Sequence, residues 1–538
     1  MNLKMTANGS KKLAKTLLTL SVHLDAFRYS PKAYLTALKW WILRKRVRAR
    51  AQFSPLLSKS PHAYALWMSR AEWNNQGNSR HGRNPPIAAL VISNGSQVAL
   101  NETLETLAAE GVQAFIVGDN QANDIIAATA AIDWHTSPWL LLIKAGDRLA
   151  AGASAAYHAA MTASVVHAIY ADDDLLSPRG RFTAPHFKPD WNSELFKHFD
   201  YLTGACVICV GQDDLKSVAD RSDWTARLVT KAASGGALHV RRVLHHRAAR
   251  ITPPIAAEPL AILSDLPAVS VIIPTRNRAD LLRTCLGGLA TTHCPNIEII
   301  IVDNDSDDPE TLAYLMSLPN SGVRVLHHAG PFNYSAINNR AVSEANGKLI
   351  CLLNNDIEIT DPAWLEIMAM QALRDDVGAV GAQLLYPDER IQHAGVVIGV
   401  GNAAGHAHRF LFPHEEGYFR RHTLPQFTSA VTAACLIVQR ERFLEVGGLD
   451  ERNFPVAFND VDLCLKLNQR GWQSLYEPRA MLIHHESVTR GHDLDPVGAA
   501  RFAGELAALK RIWKTDEIVD PYHHPYLSRA SEQFAIAL

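Results

Sequence analysis

Short, almost unbroken apolar runs recur along this chain, and each ends abruptly in a polar turn. Ile87–Ile92, Ala114–Val117 and Trp139–Ile143 form one series; Val269–Ile273, Ile297–Val302, Val323–Leu326 and the run inside Lys348–Ile359 form a second. Runs of this length, bounded by glycine, proline or aspartate, read as strands buried on both faces. Between them the period changes to that of a helix, over Val98–Glu110, Arg278–Leu289 and Ser335–Asn346, the last closed by Gly347 in the position after a helix end. A further helix is expected over Asp460–Gln469, with Leu463 and Leu467 toward the core and Gly471 beyond its end. Strand–helix–strand alternation is the signature of an α/β fold.

The two series have the same order, so Ile87–Asp147 and Val269–Asp356 read as two copies of one unit. Matched strand to strand, Gly146 takes the place of Asp356 and Lys144 that of Asn354. The proline-rich stretch 251–267 separates the copies, and the polar residues 60–84 read as a linker before the first.

Composition sharpens this in three ways. The net charge of −1 argues against a general nucleic-acid binder. The balance is uneven, because residues 1–50 carry a dozen Lys or Arg and one acid, Asp25. Residues 10–50 are helical in pattern, with Leu13, Leu17, Leu18, Leu20 and Leu24 roughly on one face and Trp40-Trp41 beside Arg44-Lys45-Arg46. Such a surface suits contact with an anionic membrane face; the alternative is a helical hairpin packed on the main body. The seven cysteines are scattered, and Cys206-Val-Ile-Cys209 has no second pair to complete a zinc site, so both read as small hydrophobes on a strand. A reduced, cytoplasmic protein is expected, with no membrane span and no signal peptide.

Candidate chemistry sits at the strand ends. Asp356 follows a buried strand, where ligands of open α/β sheets bind and where a divalent cation could bridge protein and diphosphate. Its alternative is a turn residue before the helix that begins near Pro362.

Four motifs in order, Val271-Ile-Ile-Pro-Thr-Arg-Asn277, Val302-Asp-Asn-Asp-Ser306, Leu352-Leu-Asn-Asn-Asp356 and Asn459-Asp-Val-Asp-Leu463, resemble those of family 2 glycosyltransferases, over about residues 269–528. A bacterial surface-polysaccharide, rhamnosyltransferase-like subgroup that includes O-antigen enzymes is closer still. It is carried by Pro331-Phe-Asn-Tyr-Ser335, Gln392-His-Ala-Gly395, Ser429-Ala-Val-Thr432, Phe458–Cys464, and His484-His-Glu-Ser487 followed by Arg490-Gly491. Residues 85–250 resemble a worn copy, with Tyr170-Ala-Asp-Asp-Asp174, Phe187-Lys-Pro-Asp-Trp191 and Arg242-Val-Leu-His-His246.

The resemblance implies tandem GT-A domains, Rossmann-like and built to handle nucleotide-diphospho-sugars, the first of them degenerate. The organisation is then a basic helical N-terminal segment and linker (1–84), the degenerate domain (85–250), a linker (251–267) and a catalytic domain (268–530). It also implies an inverting hexosyl- or rhamnosyltransferase that moves a sugar from a UDP or dTDP donor to a growing, lipid-linked glycan. Mg²⁺ or Mn²⁺ would be held by Asp356 and by a histidine after the last core strand, best matched by His484, with His485 the adjacent alternative. Asn354 and Asn355 stand where an Asp-x-Asp pattern is usual, so the turn supplies one carboxylate instead of two. Asp460 matches the general base, against the plainer reading of an aspartate at a helix start; Asp462 is read as structural. Pro274, Thr275, Arg276, Asn277, Asp303, Asn339, Asn354 and Asn355 match the donor-binding positions, with turn chemistry the alternative for Thr275 and Asn277. Ala433 stands where the subgroup has glycine. The competing classes are a catalytically silent scaffold of a polysaccharide assembly and a metal-dependent nucleotidyl- or phosphotransferase.

Overall fold

A computed structural model describes residues 2–70, 85–118, 120–260, 265–485 and 496–538, with the side chains of residues 2–11 left aside. Asp119 and, in the motif after the last core strand, Glu486, Ser487, Arg490 and Gly491 lie outside the described residues. Contacts group the chain into two units: residues 1–253 with 523–528 and 535–538, and residues 254–522 with 529–534.

The first unit begins with four helices, α1 (Asn2–Tyr29), α2 (Pro31–Ile42), α3 (Arg46–Ser58) and α4 (Ala63–Arg70). The last falls in the stretch expected to be a linker. Tyr64, Leu66 and Trp67 of α4 are buried, and three large apolar side chains going into a core explain why polar neighbours did not keep it extended. On α1, Leu13, Leu17, Leu20, Leu24 and Phe27 are all exposed, at alternating spacings of four and three. Cations stack on the tryptophans at the end of α2: the Arg46 guanidinium lies 3.8 Å from the Trp41 ring and the Lys45 ammonium 5.0 Å from that of Trp40.

The sheet of this unit uses β1 (Ile87–Ile92), β2 (Gln113–Val117), β3 (Trp139–Lys144), β4 (Arg148–Leu149), β5 (Ala168–Leu176), β6 (Phe182–His186), β7 (Cys206–Ile208) and β8 (Leu238–Arg247). Their spatial order is β2-β1-β3-β7-β5-β8-β4, with β6 paired to β5.

The second unit has β9 (Val269–Thr275), β10 (Ile297–Asp303), β11 (Arg324–His327), β12 (Leu349–Leu353), β13 (Ile357–Ile359), β14 (Val377–Leu385), β15 (Ile391–His393), β16 (Val396–Ile398), β17 (Ala404–His406), β18 (Gln426–Thr428), β19 (Cys435–Gln439) and β20 (Gln473–His484). The main order is β11-β10-β9-β12-β19-β14-β20-β13, with β15 on β14 and β18 on β20, while β16 and β17 form a separate ribbon. Every residue of β9, β12 and β14 is buried, as expected for strands covered on both faces.

Apart from the additions β6, β11, β15 and β18, the two main sheets have the same order and the same senses. In each, three parallel strands adjoin an antiparallel one (β7, β19), then a parallel pair (β5 with β8, β14 with β20), then a short antiparallel edge (β4, β13). The internal repeat is therefore a repeat of topology, and both units are α/β sheets of the expected GT-A-like kind.

Two local expectations are corrected. β3 runs on through Lys144, and three residues then lead to Arg148 of β4, as three residues lead from Leu353 of β12 to Ile357 of β13. Arg148 pairs with His246 and Ile357 with His484. The residue in the place of Asp356 is thus Asp147, not Gly146; Ala145, not Lys144, stands for Asn354; and His246 stands for His484. The error came from ending β3 one residue early. Gly347, for its part, does not close the helix in a left-handed turn. The helix Tyr334–Glu344 ends on Ala345 in extended conformation, and Gly347 is needed because a Cβ there would lie 2.5 Å from the Ser270 backbone nitrogen.

Candidate active site

The turn Asn354-Asn355-Asp356 leaves the carboxyl end of the buried strand β12. Its backbone is fixed by two hydrogen bonds: Asn354 N–H donates to the Ala434 carbonyl at 2.9 Å, and the Asp356 carbonyl accepts from His485 N–H at 3.0 Å. The Asn355 amide donates to Thr275 Oγ1 at 3.0 Å, which joins the turn to the end of β9.

Asp356 is nearly buried, and among the described residues its Oδ1 has no hydrogen-bond donor, although His484 Nε2 lies 3.1 Å away. On the other side of that imidazole, Nδ1 lies 2.7 Å from Gln392 Oε1, an acceptor only, so Nδ1 carries a proton. The Asn354 amide nitrogen, a donor only, faces Nε2 at 3.3 Å. In the neutral ring, Nε2 therefore presents a lone pair beside a carboxylate oxygen. A cation that displaced the Asn354 amide from Nε2 would satisfy both atoms, and a carboxylate oxygen with an imidazole nitrogen suits a transition-metal ion such as Mn²⁺ better than Mg²⁺, which prefers oxygen alone. Burial disfavours the charge on Asp356, yet its carboxyl is held below its usual range because positive charge at the facing His484 position, a proton on the ring in the absence of a cation, favours the ionised form. His485 turns elsewhere and pairs with Glu358 at 2.9 Å.

Asp460 begins the helix Asn459–Gln469, whose entry is set by Phe458 in a left-handed conformation (φ 61°). One carboxylate oxygen accepts from Ala433 N–H at 3.1 Å and the other from Val461 N–H at 2.8 Å. Burial pushes its pKa above the ordinary aspartate value, against the opposing pull of the Ala433 and Val461 amides and the Thr432 hydroxyl. Consecutive residues of one loop thus hold both carboxylates' surroundings: Ala433 binds Asp460, and Ala434 binds the turn that carries Asp356. Tyr334 adds a third tie, donating its hydroxyl to the Ala433 carbonyl at 2.9 Å. Asp462 is spent on Trp513 Nε1 and Lys466, each at 2.9 Å.

The other predicted donor positions divide. Pro274 and Thr275 are buried at the end of β9, where Thr275 pairs with Asp303 at the end of β10; Arg276, next along, is exposed. Asp303 is nearly buried and accepts from Ser306 N–H at 3.2 Å. Asn277 has a left-handed φ of 54° and is engaged in turn contacts: its amide donates to Asp307 and its oxygen accepts from Asp307 N–H and Asp308 N–H. Asn339 is not brought to the strand ends by its contacts: its amide binds Leu449 and Glu451. Reasoning from the sequence gave no role to Gln392, although it lies in one of the motifs quoted above, or to Arg278, which pairs with Asp280 at 2.7 Å and also feels the charge of Asp356.

Residues 270–440 match the model of the family described as Glycosyl transferase family 2. The chain is 40% identical over 418 residues to an uncharacterized protein, y4gI, of Sinorhizobium fredii, covering 69% of this chain and 46% of that one. It is 36% identical over 414 residues to the O-antigen biosynthesis protein RfbC of Myxococcus xanthus, covering 67% of this chain and 31% of that one. Over 247 residues it is 26% identical to the N-acetylglucosaminyl-diphospho-decaprenol L-rhamnosyltransferase of Mycobacterium tuberculosis, covering 42% and 78%. The chain thus spans less than half the length of the first two relatives.

Proposed function

Residues 270–440 being a family 2 glycosyltransferase domain, we propose that this chain transfers a sugar, with inversion, from a UDP- or dTDP-linked donor to a growing lipid-linked surface polysaccharide. The observation that carries the reading is the loop Thr432-Ala433-Ala434, which fastens an aspartate of raised pKa and the Asp356 turn to adjacent peptide units.

A divalent cation held by Asp356 and His484 would neutralise charge on the departing nucleoside diphosphate. The chain's own residues do the rest. The ends of β9 and β10 present Thr275 and Asp303 to the nucleoside, where a carboxylate can accept the N–H of a uracil or thymine ring. Pro274, Arg276 and Asn277 shape the mouth of that loop. Asn354 and Asn355 brace the turn. Asp460 takes the proton of the acceptor hydroxyl; its burial raises its proton affinity toward the value a base needs. No second carboxylate is assigned as a nucleophile, so the displacement is single and the anomeric centre inverts. Asn339 acts at one remove, by holding the loop at Leu449.

No helix among the described residues is long and apolar enough to cross a membrane. The exposed stripe of α1, with the cation-stacked tryptophans of α2, supports peripheral contact with the inner, cytoplasmic membrane face through residues 10–50, where a lipid-linked acceptor would be. Flotation with anionic liposomes at low salt tests this: Leu17→Ser with Leu24→Ser should abolish co-flotation, and a chain that stays at the bottom before mutation removes the proposal.

For the catalytic reading, the decisive measurement is Asp460→Asn. Transfer should be lost while UDP or dTDP binding in Mn²⁺ persists; substantial residual transfer would reject Asp460 as the base. Pyrophosphate release would instead favour a nucleotidyltransferase, and failure to bind either nucleotide a silent scaffold.

A further inference from the structure

We propose that Gln392 is the positioning residue of the cation site: it fixes the tautomer and orientation of His484 so that the Nε2 lone pair faces Asp356. The inference rests on the reading of Asp356 and His484 as a cation-binding pair, and it assigns a task to a side chain that touches neither donor nor cation.

The backbone places Gln392 for this purpose. On β15, Ile391 pairs with Leu385 of β14 and His393 with Leu384, so two consecutive residues of one strand face residues two apart on the other. Gln392 is the extra residue, the bulge. A bulge leaves one residue out of the ladder and re-aims its side chain, which is why bulges gather beside active sites. Here the side chain goes inward: Gln392 is 4% exposed and His484 7%. The two meet at 2.7 Å although 92 residues separate them in the chain.

The chemistry of the pair leaves little freedom. A free imidazole in water exchanges its proton between two nitrogens, and only the unprotonated one can bind a cation. The Gln392 carbonyl accepts and so keeps the proton on Nδ1; the Asn354 amide donates, which matches a bare Nε2. Histidine ligands in metal sites are commonly held this way through the far nitrogen, and loss of the partner weakens metal binding by roughly 10–100-fold. Without Gln392 the buried Nδ1–H has no acceptor from that side, and the ring gains a reason to turn over.

The test uses the full chain and two readouts. In the first, Mn²⁺ is titrated calorimetrically in the presence of UDP or dTDP. Gln392→Leu, similar in size but unable to accept, should weaken Mn²⁺ binding roughly 10–100-fold, whereas Gln392→Glu, which can only accept, should bind at least as well as the unaltered protein. In the second, ¹⁵N shifts of the His484 ring, assigned by difference against His484→Ala, are read without metal at a pH where the ring is neutral. They should report protonated Nδ1 and bare Nε2 in the unaltered protein and a mixture in Gln392→Leu. Equal Mn²⁺ affinity in Gln392→Leu, with binding lost in His484→Ala, overturns the role of Gln392 and leaves the cation pair standing. Mn²⁺ binding that is absent, or indifferent to His484→Ala, overturns the cation pair and this inference with it. Should Gln392→Leu fail to fold, the ring shifts of the unaltered protein decide: a proton on Nε2 refutes the assignment.

Discussion

The two units share one sheet plan but treat its polar end differently. In the second, Asp356 and His484 face each other, and among the described residues no lysine or arginine is paired to the carboxylate. In the first, Asp147 and His246 hold the corresponding places, and the chain's own cations fill the neighbourhood. The Arg247 guanidinium lies 4.0 Å from Asp147, His246 Nδ1 lies 2.7 Å from Asp174, and Asp173 is paired with Lys188 at 2.8 Å and Arg250 at 2.6 Å. Burial opposes the charge on Asp173, yet Lys188, Arg250 and Arg247 hold its carboxyl well below the usual range. The Asp172-Asp173-Asp174 run of the worn copy is thus consumed by internal partners.

The same applies to Asp172, His239 and His524, which among the described residues are close enough to share an ion. His239 bridges two carboxylates, Asp172 at 3.0 Å and Asp190 at 3.1 Å, and its pKa is raised: burial opposes this, but the Asp172 charge overrides it. His524 Nδ1 accepts from Tyr526 N–H at 3.1 Å, so the proton sits on Nε2, 3.0 Å from Asp172. A ring that accepts through one nitrogen and carries its proton on the other has no lone pair for a metal. Through these close charge contacts Asp172 ties the first unit's sheet to residues 523–528. What the comparison teaches is that one topology supplies the place for an ion, while the neighbouring side chains decide whether a protein cation takes it.

Five substitutions break or sharpen the contrast. The largest effect belongs to Asp356→Ala, which should lower transfer by at least roughly 10²–10³-fold and remove Mn²⁺-dependent nucleotide binding, whereas Asp147→Ala should leave initial rates unchanged. Equal losses from both would mean that the first unit is also catalytic.

Next comes Asp173→Ala, which strands a fully buried Lys188. Breaking a buried pair from one side costs about 3–5 kcal/mol, so urea denaturation should show the first unit melting early while nucleotide binding by the second survives. An unchanged midpoint would show that Lys188 is not held by Asp173.

Asp147 gives a pH-dependent signal. Burial raises its pKa to about 6 against the pull of Arg247 and the Ala248 amide. The folded value lies above the unfolded one, so its contribution is fully present below about pH 4 and is lost as pH rises through about 6. Ionised at neutral pH, Asp147 costs on the order of 2–3 kcal/mol. Asp147→Asn should therefore stabilise the first unit at pH 8, with the gain vanishing by about pH 4; a gain constant across that range would refute the shift.

The smallest effect is at Asn277. Its side chain ties a left-handed turn to residues 307 and 308, and Asn277→Ala should cost about 1–2 kcal/mol of stability in the second unit. Nucleotide affinity at saturating Mn²⁺ would change little if the tie is all it supplies, and a tenfold loss would restore Asn277 to the donor contacts.

Much of this was written locally in the sequence. Unbroken apolar runs found the strands because a strand covered on both faces needs no polar position, and their polar ends located Asp356 and Asp303. The start of the helix Asn459–Gln469 located Asp460, and the spacing from Asp460 to Asp462 already required that the two diverge. The internal repeat was legible as the order of these elements. What the sequence could not contain is whatever depends on pairing between distant segments. The true partner of Asp356 in the first unit needed the register of β4 against β8, which moved the match from Gly146 to Asp147. The engagement of Asn339 by Leu449 spans 110 residues, and the grip of Gln392 on His484 spans 92. Residues 63–70 became a helix because a core elsewhere accepted Tyr64 and Trp67. Period and propensity act over a few neighbours, and they set which elements form. Which polar atom is left without a partner, and is therefore free for chemistry, is decided only when the sheet has closed around it.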